Sequence, residues 1–221
     1  MPTIAIVGAG PGLGAAVARR FGREGFRVAL ISRTQAHVDR LAEELAADGV
    51  TARGYAADVR DPEALTTALA AAADDLGPVS VLQYSPVPRE EFLKPVAETT
   101  TEDLRAATEF SILGAATAVR QVVPGMRELG GGTILLPNGS SAATPNVAVA
   151  GTSVAFAGES AYGRMLHDAL APEGIGVAQL IIPGAIGGGD RLYEPDTLAE
   201  RLWQLHAEPG TFRVTVGEDP A

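Results

Sequence analysis

Apolar residues in this chain gather in short blocks separated by longer stretches of helical spacing. Thr3–Val7, Arg27–Ile31, Thr51–Ala57, Val79–Tyr84, Thr133–Leu136 and Gly176–Ile182 have the length and apolar character of buried strands. Between and after them, Gly12–Glu24, Thr34–Asp48, Pro62–Leu76, Thr101–Leu129, Val149–Leu170 and Pro195–Ala207 read as helices. In the second of these, Val38, Leu41 and Leu45 fall on one face. Pro62 suits the first turn of its helix, and Pro124-Gly125 predicts a break in the long Thr101–Leu129 segment. Phe212–Val216 alternates as a short edge strand would. Regular strand–helix order with continuously apolar strands predicts an α/β fold: a doubly wound parallel sheet, Rossmann-type, covered by helices on both faces as a three-layer sandwich. No repeat, linker or low-complexity tract interrupts residues 1–221, which read as a single domain.

Ligands of such a sheet bind at the carboxyl ends of its strands. The first strand ends in Gly8-Ala9-Gly10-Pro11-Gly12-Leu13-Gly14. The spacing GxGxxG fails because position 13 is Leu, but GxxxGxG fits through Gly8, Gly12 and Gly14. Glycines there allow positive φ and close approach of backbone to phosphate, and the following helix offers free N–H groups and partial positive charge. The second strand ends in Ser32-Arg33-Thr34, where an NAD-binding chain would carry a carboxylate for the ribose 2′-hydroxyl. A guanidinium beside hydroxyls suits a 2′-phosphate instead, which favours NADP(H) over NAD(H). Asp58, after the third strand, either accepts from the adenine amino group or caps the turn toward Asp61-Pro62.

Composition narrows the chemistry. Cysteine is absent, which excludes disulfides and thiolate catalysis. His37, His167 and His206 are too scattered to predict a metal site. The formal charge of −10 argues against nucleic acid or an anionic membrane as partner, so an anionic ligand needs a local positive pocket. The N-terminus reads as an opening strand rather than a signal peptide, and no apolar run has the length of a membrane span, so a cytoplasmic location is expected.

The glycine loop, Ser32-Arg33, Asp58-Val59, Gly132–Ala142 and the Pro183-Gly184 that follows the sixth strand together resemble the short-chain dehydrogenase/reductase family, from about residue 3 to residue 184. The resemblance implies hydride transfer between nicotinamide and a carbonyl or alcohol of a small-molecule substrate. It implies that Gly8, Gly10, Gly12, Leu13, Gly14, Ser32, Arg33, Thr34, Asp58, Val59, Pro183 and Gly184 border the dinucleotide. In the family a Ser polarises the carbonyl, a Tyr acts as acid and base, a Lys four residues later lowers the Tyr pKa, and an Asn holds a relay water.

At those positions this sequence departs. The serine is expected at Ser140 or Ser141, in Asn138-Gly139-Ser140-Ser141. Thr152 and Phe156 fall where YxxxK should start the next helix, and no YxxxK occurs elsewhere. Ser111 stands for the Asn, and Gln83-Tyr84-Ser85 replaces the Asn-Ala-Gly after the fourth strand. An aliphatic hydroxyl is a far weaker acid than a phenol, and Phe156 brings no charge to help it, so the usual mechanism is absent. Tyr84 either fills space above the cofactor or supplies the proton. Tyr162 is rotated off the Thr152 face of its helix, and His167 lies mid-helix. Tyr193 belongs to the glycine-rich segment at residues 184–195, which reads as a substrate lid, and anchors it by packing or closes over substrate.

Three functions remain open at this point. The first is an NADP(H)-dependent oxidoreductase with an atypical active site using Ser140, Ser141, Tyr84 or Thr152. The second is a catalytically inactive dinucleotide-binding regulator or scaffold, and the third a non-redox enzyme on the same scaffold. The alanine-rich helices Thr101–Leu129 and Val149–Leu170 are those the family pairs between subunits, so the resemblance implies a homodimer or homotetramer.

Overall fold

The computed structural model describes residues 1–218. Seven parallel strands form one sheet: β1 (Thr3–Val7), β2 (Arg27–Ser32), β3 (Ala52–Ala56), β4 (Val79–Tyr84), β5 (Gly132–Gly139), β6 (Ile175–Ile182) and β7 (Arg213–Thr215), in spatial order β3-β2-β1-β4-β5-β6-β7. The helices are α1 (Leu13–Arg23), α2 (Gln35–Ala47), α3 (Pro62–Leu76), α4 (Thr101–Thr108), α5 (Gly114–Glu128), α6 (Ala150–Leu170) and α7 (Pro195–Ala207). Both sheet faces are dry. Ile4, Ile6, Val28, Leu30, Val81 and Leu180 pack against α1, α2 and α7 on one side, and Val7, Ile31, Leu82, Ile134 and Val177 against α3, α5 and α6 on the other. Doubly wound order follows from this two-sided burial, and the winding reverses between β1 and β4, where the strand ends splay into a crevice.

Two elements differ from the sequence-based expectation. The predicted break at Pro124 does not occur: α5 runs through it. The interruption lies earlier, as a π-helical turn at Glu109–Leu113 joining α4 to α5. There the Gly114 N–H donates to the Glu109 carbonyl, and the Phe110 carbonyl accepts from the Tyr84 hydroxyl. An added Cβ at Gly114 would stand 2.2 Å from the Tyr84 hydroxyl and 2.8 Å from the Val59 carbonyl, so glycine is what lets the helix lie over β4. The wider turn is a fit to Tyr84, and insertions of this kind gather at functional sites.

The second difference concerns β5, which continues through Pro137 to Gly139 instead of stopping at Leu136. A proline inside a sheet removes a ladder donor and is confined to edges. Pairing with β4 ends at Gln83–Leu135, whereas pairing with β6 continues to Gly139–Ile182. Beyond Leu135 the strand is therefore an edge on its β4 side, and Pro137 sits on that edge at the crevice.

Gly114→Ala is expected to lower stability by about 1–3 kcal/mol through overpacking. Tyr84→Phe in the same chain should recover part of the loss, because the Val59 contact remains. Urea unfolding measures both, and an undiminished midpoint in Gly114→Ala would contradict this account of the turn.

Candidate active site at the switch point

The crevice is built on the glycine loop. Gly8 has φ +91°, and an added Cβ there would lie 2.5 Å from Pro86, so the loop rests directly on the backbone that follows β4. Gly8 and Ala9 both donate to the Ile31 carbonyl, at 2.9 and 3.0 Å. Gly10 and Gly12 face open space, with nothing within 4 Å of an added Cβ. No side chain caps the N-terminus of α1 and no acid lies in its first turn. The free N–H groups and positive dipole end thus point into the crevice unopposed, an arrangement that suits a phosphate.

The crevice has two lobes that share Gly8, Gly10, Pro86 and Val87. The smaller, about 180 Å³, is lined by Ile31, Ser32, Arg33, Ala57, Asp58, Val59 and Phe110. Arg33 is exposed there and has no ion-pair or hydrogen-bond partner among the described residues. Asp58 lines the same lobe with both oxygens engaged: Oδ1 accepts from the Arg60 N–H at 3.0 Å and Oδ2 from Arg89 Nη2 at 3.1 Å. The Arg60 contact is the expected turn cap. Thr34 occupies the N-cap position of α2, and neither Thr34 nor Pro183 borders either lobe.

The larger lobe, about 440 Å³, runs from Gly12, Leu13 and Gly14 past Ser85–Pro88 to Pro137–Gly139, Phe156, Ile182, Gly184 and Ile186. Its walls are mainly apolar. The sequence reading missed Pro86, Val87, Gly139 and Ile186 here, and the proline-rich Ser85–Pro88 run was the available signal for the first two.

The expected catalytic positions are placed as follows. Gly139, not Ser140 or Ser141, lines the lobe, with an added Cβ at 4.0 Å from the Phe156 ring. Ser140 and Ser141 belong to the following 3-10 turn and lie outside the lining. The correction is one of register: β5 reaches Gly139 before the chain turns, so the crevice-facing position is a glycine. Thr152 is buried, and its hydroxyl donates to the Val149 carbonyl at 3.0 Å. Tyr84 is 1% exposed, burial raises its pKa well above the ordinary phenol value, and its hydroxyl is spent on Phe110. Neither hydroxyl reaches the lobe, so the expected roles of Tyr84 and Thr152 in proton transfer are not met by the geometry. Phe156 does enter it. The chain's single lysine, Lys94, pairs with Asp103 at 2.8 Å in the cap of α4. The Tyr193 ring packs on Gly184, where an added Cβ would strike it at 2.1 Å, which is the anchoring role.

Behind the lobe lies a polar chain, buried except at Arg213, that the sequence reading did not find. Arg213 Nε and Ser160 Oγ donate to Gln179 Oε1 at 2.8 and 2.9 Å, and Arg213 also donates to Ser160. Gln179 Nε2 donates to Asn138 Oδ1 at 2.8 Å, and Asn138 Nδ2 donates to Glu159 Oε1 at 3.1 Å. Glu159 is 2% exposed, and burial pushes its carboxyl up to about 8 against the smaller opposing effect of Asn138. Phe156, Glu159 and Gly163 recur at helical spacing on the inner face of α6, the signal that marked Glu159 as buried.

The unfolded chain releases the Glu159 proton near the ordinary carboxylate value, whereas the folded protein keeps it until about pH 8. Between those values the unfolded state binds fewer protons, so wild-type stability falls with rising pH relative to Glu159→Gln. The expected difference in slope approaches one proton, about 1.4 kcal/mol per pH unit. Urea unfolding of both proteins between about pH 5 and pH 8 tests it, and parallel curves would contradict a protonated Glu159.

Comparison with known proteins places this site. The family model for short chain dehydrogenase matches residues 2–190. The short-chain reductase protein NovJ of Streptomyces niveus is 30% identical over 199 residues, 89% of this chain and 72% of that protein. Galactitol 2-dehydrogenase (L-tagatose-forming) of Cereibacter sphaeroides is 48% identical over 81 residues, and the chain spans only 31% of its length. A short-chain dehydrogenase from Rhodopseudomonas palustris superposes with TM-score 0.87 at 26% identity, covering 99% of each chain. A metagenomic short-chain oxidoreductase in complex with NADP superposes with TM-score 0.85 at 21% identity, a likeness of fold, covering 97% of this chain and 96% of that one. With its matched pattern, its sheet order and its glycine loop in place, the chain belongs to the short-chain dehydrogenase family.

Proposed function

We propose that this protein binds NADP(H) across the two lobes and transfers hydride to or from a small, largely apolar organic substrate. The observation that carries the reading is the open backbone face of Gly10 and Gly12 at the uncapped N-terminus of α1, with Arg33, unpaired among the described residues, beside it. The residues fit the cofactor: the pyrophosphate takes the glycine loop, and the 2′-phosphate and adenosine take the Arg33 lobe. The nicotinamide end is left to the larger lobe. When bound, the dinucleotide supplies or accepts the hydride. The chain's own part is to exclude water with Pro137, Phe156, Ile182 and Ile186, and to hold the acceptor against the Gly139 edge. Residues 184–195 serve as the lid of that lobe.

Without a tyrosine and lysine at the lobe, a plain ketone lacks a phenol placed directly against its oxygen, and loss of such an acid costs about 10²–10⁴ in rate. Acceptors that need little acid help, such as iminium ions or activated enones, fit better. A second reading is a dinucleotide-binding regulator or scaffold, favoured by the inert side chains at positions 139, 152 and 156. Turnover of NADPH with a panel of ketones, enones and imines separates the two. The exposed apolar side chains of Leu113, Val154 and Met165 on the π turn and α6 support pairing of these helices with a second copy.

NADPH is expected to bind at least about tenfold tighter than NADH, about 1.4 kcal/mol, and Arg33→Asp should abolish or invert that preference. Gly12→Val should abolish dinucleotide binding without unfolding, since its side chain enters the crevice and not the core. Equal affinities for both cofactors, or unchanged calorimetric affinity in Gly12→Val, would contradict the respective placements. Light scattering at micromolar concentration should give a dimer or tetramer mass, and a monomer mass would remove the pairing.

A further inference from the structure

A small pocket of about 10 Å³ lies beside the larger lobe, lined by Ser85, Ser111, Asn138, Phe156 and Glu159 among others. Its size admits a single water, and its lining is polar enough to hold one. The Asn138 amide is the one hydrogen-bond partner of the Glu159 carboxyl among the described residues, which leaves much of its bonding capacity to the cavity. Ser85 borders both the cavity and the lobe. Its oxygen accepts from Gln83 Nε2 at 2.8 Å, and its own hydroxyl proton has no acceptor among the described residues.

The structure assigns Glu159 the part of proton source for the lobe, acting through a water in the small pocket and the Ser85 hydroxyl. This assignment rests on the reading of the lobe as a hydride-transfer site. When bound, the dinucleotide gives up a hydride and is oxidised by two electrons, while the acceptor carbon is reduced. On the chain's side, the Ser85 O–H bond breaks as an O–H bond forms on the acceptor oxygen. The cavity water then reprotonates Ser85, and the Glu159 O–H bond breaks to reprotonate the water. A carboxylate remains, and solvent restores its proton after product leaves.

The surroundings suit a carboxyl that cycles between the two forms. Burial keeps it neutral in the resting protein. From β4 it faces Tyr84, whose hydroxyl is committed to Phe110, and from the π turn Ser111, which is uncharged. From β5 and β6 come the amides of Asn138 and Gln179. Arg213 on β7 stands at the far end of the same chain, engaged by Gln179 and Ser160. Every donor in that chain is oriented toward Glu159, so the anion is stabilised as it forms without a direct ion pair that would hold it permanently ionised.

A cationic nicotinamide in the lobe favours the ionised carboxyl, so NADP⁺ binding should expel a proton that NADPH binding does not. Titration calorimetry at about pH 7, in buffers of different ionisation enthalpy, is expected to show release greater by roughly half a proton for NADP⁺ than for NADPH. Glu159→Gln should abolish the difference while NADPH affinity stays within about threefold, and Ser85→Ala should retain it because the carboxyl is untouched. The wild-type protein also decides alone: the affinity ratio of NADP⁺ to NADPH should rise several-fold between about pH 6 and pH 9. A flat ratio, or equal proton release in wild type and Glu159→Gln, overturns the assignment with the site reading intact. Failure of both dinucleotides to bind overturns the site reading and the assignment with it.

Discussion

The backbone of Gly8 lies against Pro86 with no space for a side chain between them, and the site depends on that contact. It brings the end of β1 against the chain leaving β4, at the point where the sheet reverses its winding. With Gly8 in a positive-φ conformation, Gly10 and Gly12 turn their open sides outward and α1 starts with its N–H groups uncapped. Pro86 and Val87 then form the wall common to both lobes. A larger residue at position 8 would move the loop off this wall and disturb both lobes together, whereas Gly12 could change without disturbing the core.

Across the crevice the larger lobe is lined mainly by apolar side chains and glycines. Gly139 and Phe156 bring no acid to the lobe directly, and the Thr152 hydroxyl is turned to the Val149 carbonyl. Behind that wall a chain of polar side chains runs from Arg213 to Glu159. A buried unpaired carboxyl is costly, and the neutral form is how this one is accommodated. Such an expense is easier to understand at a site that uses the proton than in a purely structural core, where an apolar residue would pack at lower cost.

The strands and most helices were legible in the residues because burial on both sheet faces writes long apolar blocks and clear helical spacing. Thr3–Val7, Val79–Tyr84 and Pro62–Leu76 agree to the residue, and the alternating Phe212–Val216 contains β7. What was misread depended on tertiary fit. Pro124 looked like a break, yet α5 accommodates it, and the actual interruption at Glu109–Leu113 answers Tyr84 from a distant strand. The loop glycines and Arg33 could be placed at the crevice from local spacing. The crevice-facing residue of β5 could not, because hydroxyls drew attention to Ser140 and Ser141 while strand pairing fixes Gly139 at the edge. Glu159 went unread because its partners lie on β5, β6 and β7, which sequence spacing does not bring together.

The central claim is that a dinucleotide lies across the glycine loop with its 2′-phosphate at Arg33 and its nicotinamide in the Phe156 lobe. Diffraction from crystals grown with NADP⁺ tests it most directly. The account predicts pyrophosphate density over Gly10–Gly12, a phosphate within hydrogen-bond distance of the Arg33 guanidinium, and the nicotinamide ring between Gly139 and Ile186. Dinucleotide density elsewhere on the protein, or the opposite orientation with adenosine in the Phe156 lobe, would contradict it.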